Sequence, residues 1–249
     1  MSYTEKVDRY GTKHYYKNGK RHRDGDEPAV ICSDGYRAYY KNGKYHRDGD
    51  KPAIIDSNGI RFYYKKGKYH RDGDKPAVIK YDGSQLYYKN GKLHRDGDEP
   101  AVILPDGTIR YYKDGELHRD GDEPAVISSD GYKSYYKNGK YHRDGDEPAV
   151  IWSDGYKAYY KNGELHRDGD KPASIWSDGT IRYYKNGVEY TKEQVEKMEE
   201  MRTRILNRIA THYARYWYDE TYRDTEGEAF KARMMRDMDY LENEIGYKF

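Results

Sequence analysis

Short apolar runs, separated by dipeptides that favour tight turns, recur along most of this chain. Residues 28–50 read PAVICSDGYRAYYKNGKYHRDGD, with Asp34-Gly35 after an Ala-Val-Ile run and Asn42-Gly43 after an aromatic run. Asp-Gly and Asn-Gly are preferred in two-residue type I′ hairpin turns. Short runs of β-branched and aromatic residues between such turns are typical of strands. The pattern therefore predicts a meander of three short antiparallel strands.

Two-residue turns would also fix which side chains share a face of this meander. The expected pairs are Ile31 with Ala38, Val30 with Tyr39, Tyr40 with Tyr45, and Tyr39 with His46. Because opposed residues share a face, both faces of the meander carry apolar or aromatic side chains. A single meander cannot bury both faces, so we expect successive meanders to stack or coil against one another.

The meander repeats with a fixed period of 24 residues. The histidine that begins each His-Arg-Asp-Gly sequence recurs at His22, His46, His70, His94, His118, His142 and His166. A period in the range of 20 to 50 residues is the signature of a repeat array. We therefore predict a mainly β fold, with about eight antiparallel hairpin or meander repeats over residues 1–190. These would form a twisted sheet or a solenoid, and the N-terminal repeat is atypical.

The apolar pattern changes to a helical period after Tyr190. Thr191 and Gln194 have the spacing of a capping box, and an apolar stripe follows as far as about Tyr218. A polar break is expected at 219–228, where a second capping box would open another helix. Residues 191–249 are thus predicted to form a C-terminal helical hairpin that caps the array, docks a partner, or does both.

That second helix is predicted from a separate set of residues. Thr225 and Glu228 form the capping box, an apolar stripe runs from Phe230 to Ile245, and Gly246 closes the helix.

The tripeptide His-Arg-Asp also marks the catalytic loop of protein kinases. A kinase needs a glycine-rich loop, a strand lysine and a DFG aspartate as well, and the sequence has none of these motifs. Seven identical copies instead indicate a structural role for the histidines, as for the turn residues Asp34, Gly35, Asn42 and Gly43. Metal binding by a ladder of His and Asp is the alternative, although the paired ligands of zinc and a complete EF-hand loop are missing. We expect no catalytic, metal or cofactor site.

Composition narrows the range of partners. The 46 basic and 44 acidic residues give a net charge of +2, and acids are interleaved with bases in every repeat. No basic face is therefore expected, and nucleic acid and membrane surfaces are unfavoured partners. The single cysteine, Cys32, allows no intramolecular disulfide. Because no apolar leader or long apolar run is present, we expect an intracellular soluble protein, in host cytoplasm or a virion if viral.

The motifs YYKNGK, HRDGDEPAVI and SDG, over roughly Tyr3 to Tyr190, resemble the MORN-repeat superfamily in a variant form. The HRDxDxPAxI version is similar to repeat proteins of giant DNA viruses and some large phages. The resemblance implies elongated, twisted β-sheet arrays that bind proteins or, in some members, phospholipid headgroups, and a bacterial branch is described as antitoxins. The inserted HRDGDxP departs from the standard MORN pattern and argues against lipid binding.

Variable positions are the candidate partner site. Trp152 and Trp176 share one column of the repeat, and the helical tail is rich in aromatic residues. The candidate partner-binding residues are Trp152, Trp176, Tyr213, Tyr216, Trp217, Tyr218 and Tyr222. These residues indicate a non-catalytic scaffold that binds another protein, such as a viral structural or accessory protein or an effector that binds a host protein. An antitoxin-like inhibitor and a phospholipid-binding module are the alternatives, and an open edge of the array also permits self-association.

Overall fold

The computed structural model describes the backbone of residues 3–218 and 220–243. Short strands recur at regular spacing as far as Tyr190, and two helices follow them. The strands are β1 Thr4–Val7, β2 Lys13–Lys17, β3 Lys20–Arg21, β4 Val30–Ile31, β5 Arg37–Ala38, β6 Tyr40–Lys41, β7 Lys44–Tyr45, β8 Ile54–Ile55, β9 Arg61–Phe62, β10 Tyr64–Lys65, β11 Lys68–Tyr69, β12 Val78–Ile79, β13 Gln85–Leu86, β14 Tyr88–Lys89, β15 Lys92–Leu93, β16 Val102–Ile103, β17 Ile109–Arg110, β18 Tyr112–Lys113, β19 Glu116–Leu117, β20 Val126–Ile127, β21 Lys133–Ser134, β22 Tyr136–Lys137, β23 Lys140–Tyr141, β24 Val150–Ile151, β25 Lys157–Ala158, β26 Tyr160–Lys161, β27 Glu164–Leu165, β28 Ser174–Ile175, β29 Ile181–Lys185 and β30 Val188–Tyr190. The helices are α1 Lys192–Tyr218 and α2 Glu220–Asn243.

The chain divides into two compact units. The first comprises Met1–Tyr141 with Ile151–Ser153, and the second comprises His142–Val150 with Asp154–Phe249. In the first unit an antiparallel sheet runs through β1, β2, β4, β5, β8, β9, β12, β13, β16, β17, β20 and β21. In the second unit β25, β28, β29 and β30 pair in the same way. The predicted mainly β class, with strands at regular spacing and helices at the C-terminal end, is confirmed.

The register across the Asp-Gly turn differs from the predicted one by one residue. Val30 pairs with Ala38 and Ile31 pairs with Arg37. The turn is a three-residue loop, because the Cys32 amide still donates to the Tyr36 carbonyl at 3.0 Å. Within this loop only Gly35 has a positive φ, of 95°, as in a type I turn followed by a left-handed residue. The predicted pairs Ile31–Ala38 and Val30–Tyr39 are therefore wrong.

The Asn-Gly turn adopts the predicted form. Asn42 and Gly43 have φ values of 52° and 79°, as both central residues of a type I′ turn require. Tyr40 pairs with Tyr45 across this turn, and the His46 amide donates to the Tyr39 carbonyl at 3.1 Å. The predicted register of this hairpin is confirmed.

Strands β2 and β29 are continuous, but the tyrosine strand of each repeat between them is split, as at Tyr39. Its amide donates to the carbonyl of Ala53 in the following repeat at 2.7 Å, so β5 belongs to the sheet and β6 to a separate hairpin with β7. Successive hairpins are linked, since the Gly67 amide donates to the Tyr45 carbonyl at 2.9 Å. Each repeat in the first unit is thus hydrogen-bonded to the next twice, once in the sheet and once between the hairpins.

The core lies on the sheet face that carries Val30 and Ala38. Both side chains are buried, and they cluster with Ala29, Tyr40 and Ile54. The alanine that follows each proline is fully buried in all seven repeats that have it: Ala29, Ala53, Ala77, Ala101, Ala125, Ala149 and Ala173. Interiors packed to crystal-like density leave no space at such positions for a larger side chain.

Helix α1 begins as predicted. The Thr191 amide donates to Gln194 Oε1 at 2.8 Å and the Gln194 amide donates to Thr191 Oγ1 at 3.3 Å, which is the reciprocal pattern of a capping box. Val195, one residue further on, is fully buried. The helix is described as far as Tyr218, and residue 219, which would test the predicted end, lies outside the described residues.

Helix α2 begins earlier than predicted. It starts at Glu220, so the expected polar break at 219–228 and the helix start at Thr225 are wrong. A polar composition does not break a helix, because Glu and Arg are good helix formers and a lone Gly227 costs only about 1 kcal/mol. The predicted closing residues Ile245 and Gly246 lie outside the described residues. Across the described part of the chain, neither helix combines the length and the apolar character needed to cross a bilayer.

Enlarging one buried alanine should destabilise the array. We expect Ala101→Leu to lower the free energy of unfolding by about 1–3 kcal/mol, because overpacking forces neighbouring side chains and backbone to shift. The same substitution at Ala214, which is exposed on α1, is the matched control and should change stability by less than about 0.5 kcal/mol. Urea unfolding followed by circular dichroism measures both, and equal effects at the two positions would contradict this account of the core.

Candidate interaction surface

The repeated histidine joins each repeat to the next. His94 Nδ1 accepts a hydrogen bond from the backbone amide of Asp114 at 3.0 Å, and its Nε2 lies 3.1 Å from Asp96 Oδ1. An imidazole nitrogen that accepts from an N–H carries no proton, so Nε2 carries it and donates to the carboxylate. Both ring nitrogens are therefore used. The same amide bond, at 3.0–3.2 Å, is made by His22, His46, His70, His94, His118, His142 and His166.

The arginine that follows the histidine makes three kinds of contact. The guanidinium carbon of Arg47 lies 3.7 Å from the centre of the Tyr39 ring, within the range of a cation–π interaction. Its Nε donates to Asp26 Oδ1 of the preceding repeat at 2.5 Å, and its Nη1 donates to the Pro52 carbonyl at 3.3 Å. The Arg47 side chain is only 13% exposed. The Arg47 side chain thus covers a buried ring and also links two successive repeats.

The aspartates of the repeat are held as carboxylates. Hydrogen bonds from Arg47 and then Lys51 hold the pKa of Asp26 well below its usual range. The corresponding pair in the second compact unit, Arg167 and Lys171, lowers the pKa of Asp146 to about 2. The turn aspartate Asp34 has a different task, since its Oδ1 accepts the Tyr36 amide at 3.0 Å. Polar side chains of the repeated positions are thus bound to one another or to backbone.

A ladder of tyrosine rings follows the hairpins in the first compact unit. Ring centroids of successive partners are 4.3–5.1 Å apart through Tyr40, Tyr45, Tyr64, Tyr69 and Tyr88. Burial raises the pKa of Tyr40 to about 12. The rings alternate between the two strands of each hairpin and the next hairpin, so they extend the core that the small aliphatic side chains begin.

Trp152 is the more exposed of the two tryptophans whose burial is described, the other being Trp176. Trp152 is 49% exposed, and its ring meets that of Tyr132 edge-on at a centroid distance of 5.1 Å. Trp176, in the second compact unit, is half-buried. It lies 5.2 Å from the Tyr156 ring and 5.3 Å from the Arg182 guanidinium. Each tryptophan therefore rests on a tyrosine from the preceding repeat.

The aromatic residues of the tail have different surroundings. Tyr216 is half-buried and packs on Phe230 of α2 at 5.7 Å, so it belongs to the contact between the helices. Tyr213 and Tyr218 are 55% and 91% exposed. The side chains of the other two candidates, Trp217 and Tyr222, lie outside those that the structure describes.

The last repeat meets helix α1 through a buried lysine. Earlier repeats pair this lysine with their own aspartate, as Lys41 does with Asp48 at 3.0 Å. Lys192 stands where the last repeat would have that aspartate. Lys185 instead donates to the carbonyls of the preceding His-Arg-Asp-Gly loop, at 2.9 Å for Arg167, and lies 3.5 Å from Glu199. Burial lowers the pKa of Lys185.

One surface was not anticipated from the sequence. The side chains that pair with the isoleucine of each repeat, such as Arg37 and Arg61, lie on the face opposite the core. They form a row of isoleucines and cations, which contradicts the expectation that no basic face exists. The signal was present in the sequence as two columns free of acidic residues, but the predicted register placed those columns on opposite faces.

Comparisons with known proteins identify no family: no family model and no curated protein matches the chain. Among solved structures, the chain has a low similarity to the wild-type TCP10 domain of Danio rerio CPAP in complex with a peptide of Danio rerio STIL. The identity is 15%, with 76% of this chain and 98% of that chain covered, and the TM-score is 0.13. This similarity is too weak to inform fold or function.

Removing one repeated histidine should destabilise the array. The Ala replacement of His94 removes the acceptor of the Asp114 amide, and the net loss of one hydrogen bond costs about 0.5–1.5 kcal/mol. We expect a decrease of that size in the free energy of unfolding, measured with urea. Ser129→Ala, at an exposed loop position, is the control and should stay within about 0.5 kcal/mol of the parent protein. No difference between the two variants would refute the bridging role.

Acid should weaken the array over a defined pH range. The pKa of Asp146 is about 2 in the fold, against about 3.9 for an unperturbed aspartate. A carboxyl with a depressed pKa contributes stability that is present above its unfolded pKa and is lost as pH falls through its folded pKa. We expect the urea midpoint to fall between about pH 4 and about pH 2, and to fall less in Asp146→Asn. An equal fall in both proteins would show that Asp146 does not contribute.

Proposed function

We propose that this protein is a non-catalytic repeat scaffold that binds another protein through side chains at the variable positions of its array. The observation that carries the proposal is the exposure of Trp152, which is 49% accessible while its ring is supported by Tyr132. A large aromatic side chain that is already held in place loses little freedom on binding. Tryptophan is also among the residues that contribute most to protein–protein affinity.

The array itself does not dictate a tryptophan at this position. In the other repeats the same column holds Cys32, Asp56, Lys80, Leu104, Ser128 and Trp176. A position that accepts such different side chains is free to be selected for a purpose other than folding. The exposed Tyr81 occupies another variable column, in which most repeats have serine.

The non-catalytic part of the proposal follows from how the repeated polar groups are used. A general base needs a lone pair that can reach a substrate proton. In His94 one nitrogen accepts a backbone N–H and the other donates to Asp96. The recurring His-Arg-Asp sequence is thus explained by contacts between repeats.

The resemblance of the repeats to MORN-like proteins of giant DNA viruses and large phages supports a viral setting for this proposal. In that setting the scaffold would be a structural or accessory component, or an effector that binds a host protein. Both roles need a long surface with partner-specific side chains, which a repeat array presents.

Replacing Trp152 should abolish partner binding without disturbing the array. The test is affinity capture from the source cell with full-length protein as bait, followed by quantitative mass spectrometry. Trp152→Ser introduces the residue that Ser128 already provides in this column. We expect at least about a tenfold loss of the captured partner, as for a hot-spot aromatic side chain.

Tyr81→Ser is the matched control, because it also exchanges an exposed aromatic residue for the serine of its column. The partner should be retained by this variant. A further variant, Tyr213→Ser with Tyr218→Ser, reports on the tail. Loss with the tail variant alone would place the docking site on the helices, and unchanged capture with all three would refute the proposed aromatic sites.

A further inference from the structure

A row of alternating aliphatic and cationic side chains crosses the strands of the first compact unit. It is defined by residues that pair in sequence from one strand to the next: Ile31, Arg37, Ile55, Arg61, Ile79, Gln85, Ile103, Ile109, Ile127 and Lys133. Paired residues share a face of an antiparallel sheet. These ten side chains therefore form one continuous line, which we name the cation–isoleucine row.

The row differs in charge from the rest of the chain. Acidic residues number 44 against 46 basic ones overall, yet the row has none. Its three cations, Arg37, Arg61 and Lys133, are exposed, and its isoleucines are half-buried. Beyond the row, Lys13 pairs with Ile31 and lies 3.8 Å from Glu5. Among the described residues no carboxylate forms an ion pair with the three cations of the row, whereas the arginines of the repeated loops are paired. The row is thus basic and partly apolar, and it faces solvent.

The cations of the row are interrupted by uncharged residues, and this pattern differs from that of a surface whose charges serve only solubility. In the middle of the array the cation column carries Gln85 and Ile109, so the row has an aliphatic centre and basic positions toward both ends. A solvated face that served solubility alone would carry mixed charges of both signs. The pattern instead suits a ligand that combines acidic and apolar groups.

We propose that the cation–isoleucine row binds an acidic protein segment with interspersed aliphatic residues, which lies across the strands. Strands are about 4.8 Å apart, so cations on alternate strands, such as Arg37 and Arg61, are about 9.6 Å apart. An extended chain advances about 3.3 Å per residue, which brings every third residue to about the same spacing. Carboxylates at that interval would meet the guanidinium groups, with which they form charge-assisted hydrogen bonds. Aliphatic residues between them would cover the isoleucines.

The row fits this partner better than it fits other polyanions. Single-stranded nucleic acid is bound on aromatic side chains that stack with bases, and the row contains none. A membrane surface presents a plane of anionic headgroups, whereas the row is one residue wide. The inference rests on the proposed scaffold function and adds the chemistry of a partner, at a surface separate in sequence position from Trp152.

The test uses the full-length protein and random displayed peptides of about 16 residues, which are long enough in extended form to span the row. Selected peptides would be synthesised with a fluorescent label, and their affinities measured by anisotropy. The test variant is Arg37→Glu with Arg61→Glu. The control is Lys44→Glu with Lys68→Glu, which changes the net charge equally in a column where Glu116 and Glu164 occur naturally.

We expect the selected peptides to be enriched in Asp or Glu together with Leu, Ile or Val. Their affinity should fall at least about tenfold for the row variant and stay unchanged for the control, with thermal melts showing both variants folded. Equal weakening in both variants would show a general charge effect and overturn the proposal. Acidic peptides that bind the row variant as tightly as the parent protein would overturn it too.

Two further probes decide between polyanions. An oligothymidine of equal length and vesicles of mixed phosphatidylserine and phosphatidylcholine are titrated against the same variants. Binding of either probe that depends on the row, with no peptide binding, would overturn the acidic-segment assignment. Peptides that depend on Trp152 but not on the row would overturn this inference while leaving the scaffold function intact.

Discussion

One imidazole per repeat, with both nitrogens occupied, is the contact on which this array depends. Nδ1 accepts the backbone amide of the next repeat's turn at 3.0–3.2 Å, and Nε2 donates to the aspartate two residues further along. The amide belongs to a residue with positive φ, such as Asn42, in a turn whose Gly43 amide also donates to the Arg21 carbonyl of the preceding repeat at 2.8 Å. Each repeat is completed only by the one beside it, as in other quasi-one-dimensional folds.

The arginine and aspartates of the same block add a second connection between repeats. Arg47 reaches back to Asp26 while it covers the Tyr39 ring, so one side chain both seals the core and pairs with the preceding repeat. Exposed ion pairs contribute little individually, but the Arg47 side chain is 13% exposed and lies against an aromatic face. The last repeat has no such block, and Lys185 takes over by binding loop carbonyls and approaching Glu199 of α1.

Repeated and variable positions consequently have different tasks. The repeated His, Arg, Asp and Tyr side chains are used within the array, which accounts for the kinase-like tripeptide by contacts between repeats. The proposed function and the further inference assign binding to the variable columns and to the cation–isoleucine row. Trp152 offers a supported aromatic surface, and Arg37, which has no ion pair within the described part of the chain, offers a charge beside half-buried isoleucines. Under the proposed scaffold function, substitution at these positions would change the partner while the hydrogen bonds between repeats remain intact.

The repeat, its β class, the Asn-Gly hairpins and the start of α1 could be predicted from the residues alone, because each depends on contacts among residues close in the chain. A type I′ turn or a capping box is specified by a few neighbouring residues. The register at Asp34-Gly35 and the partners of the repeated polar groups became evident from the folded structure. Asp-Gly suits both a two-residue and a three-residue loop, and the difference of one residue moves Arg37 to the face of Ile31. Likewise, His94 and the Asp114 amide are 20 residues apart, and only the pairing of successive repeats brings them together.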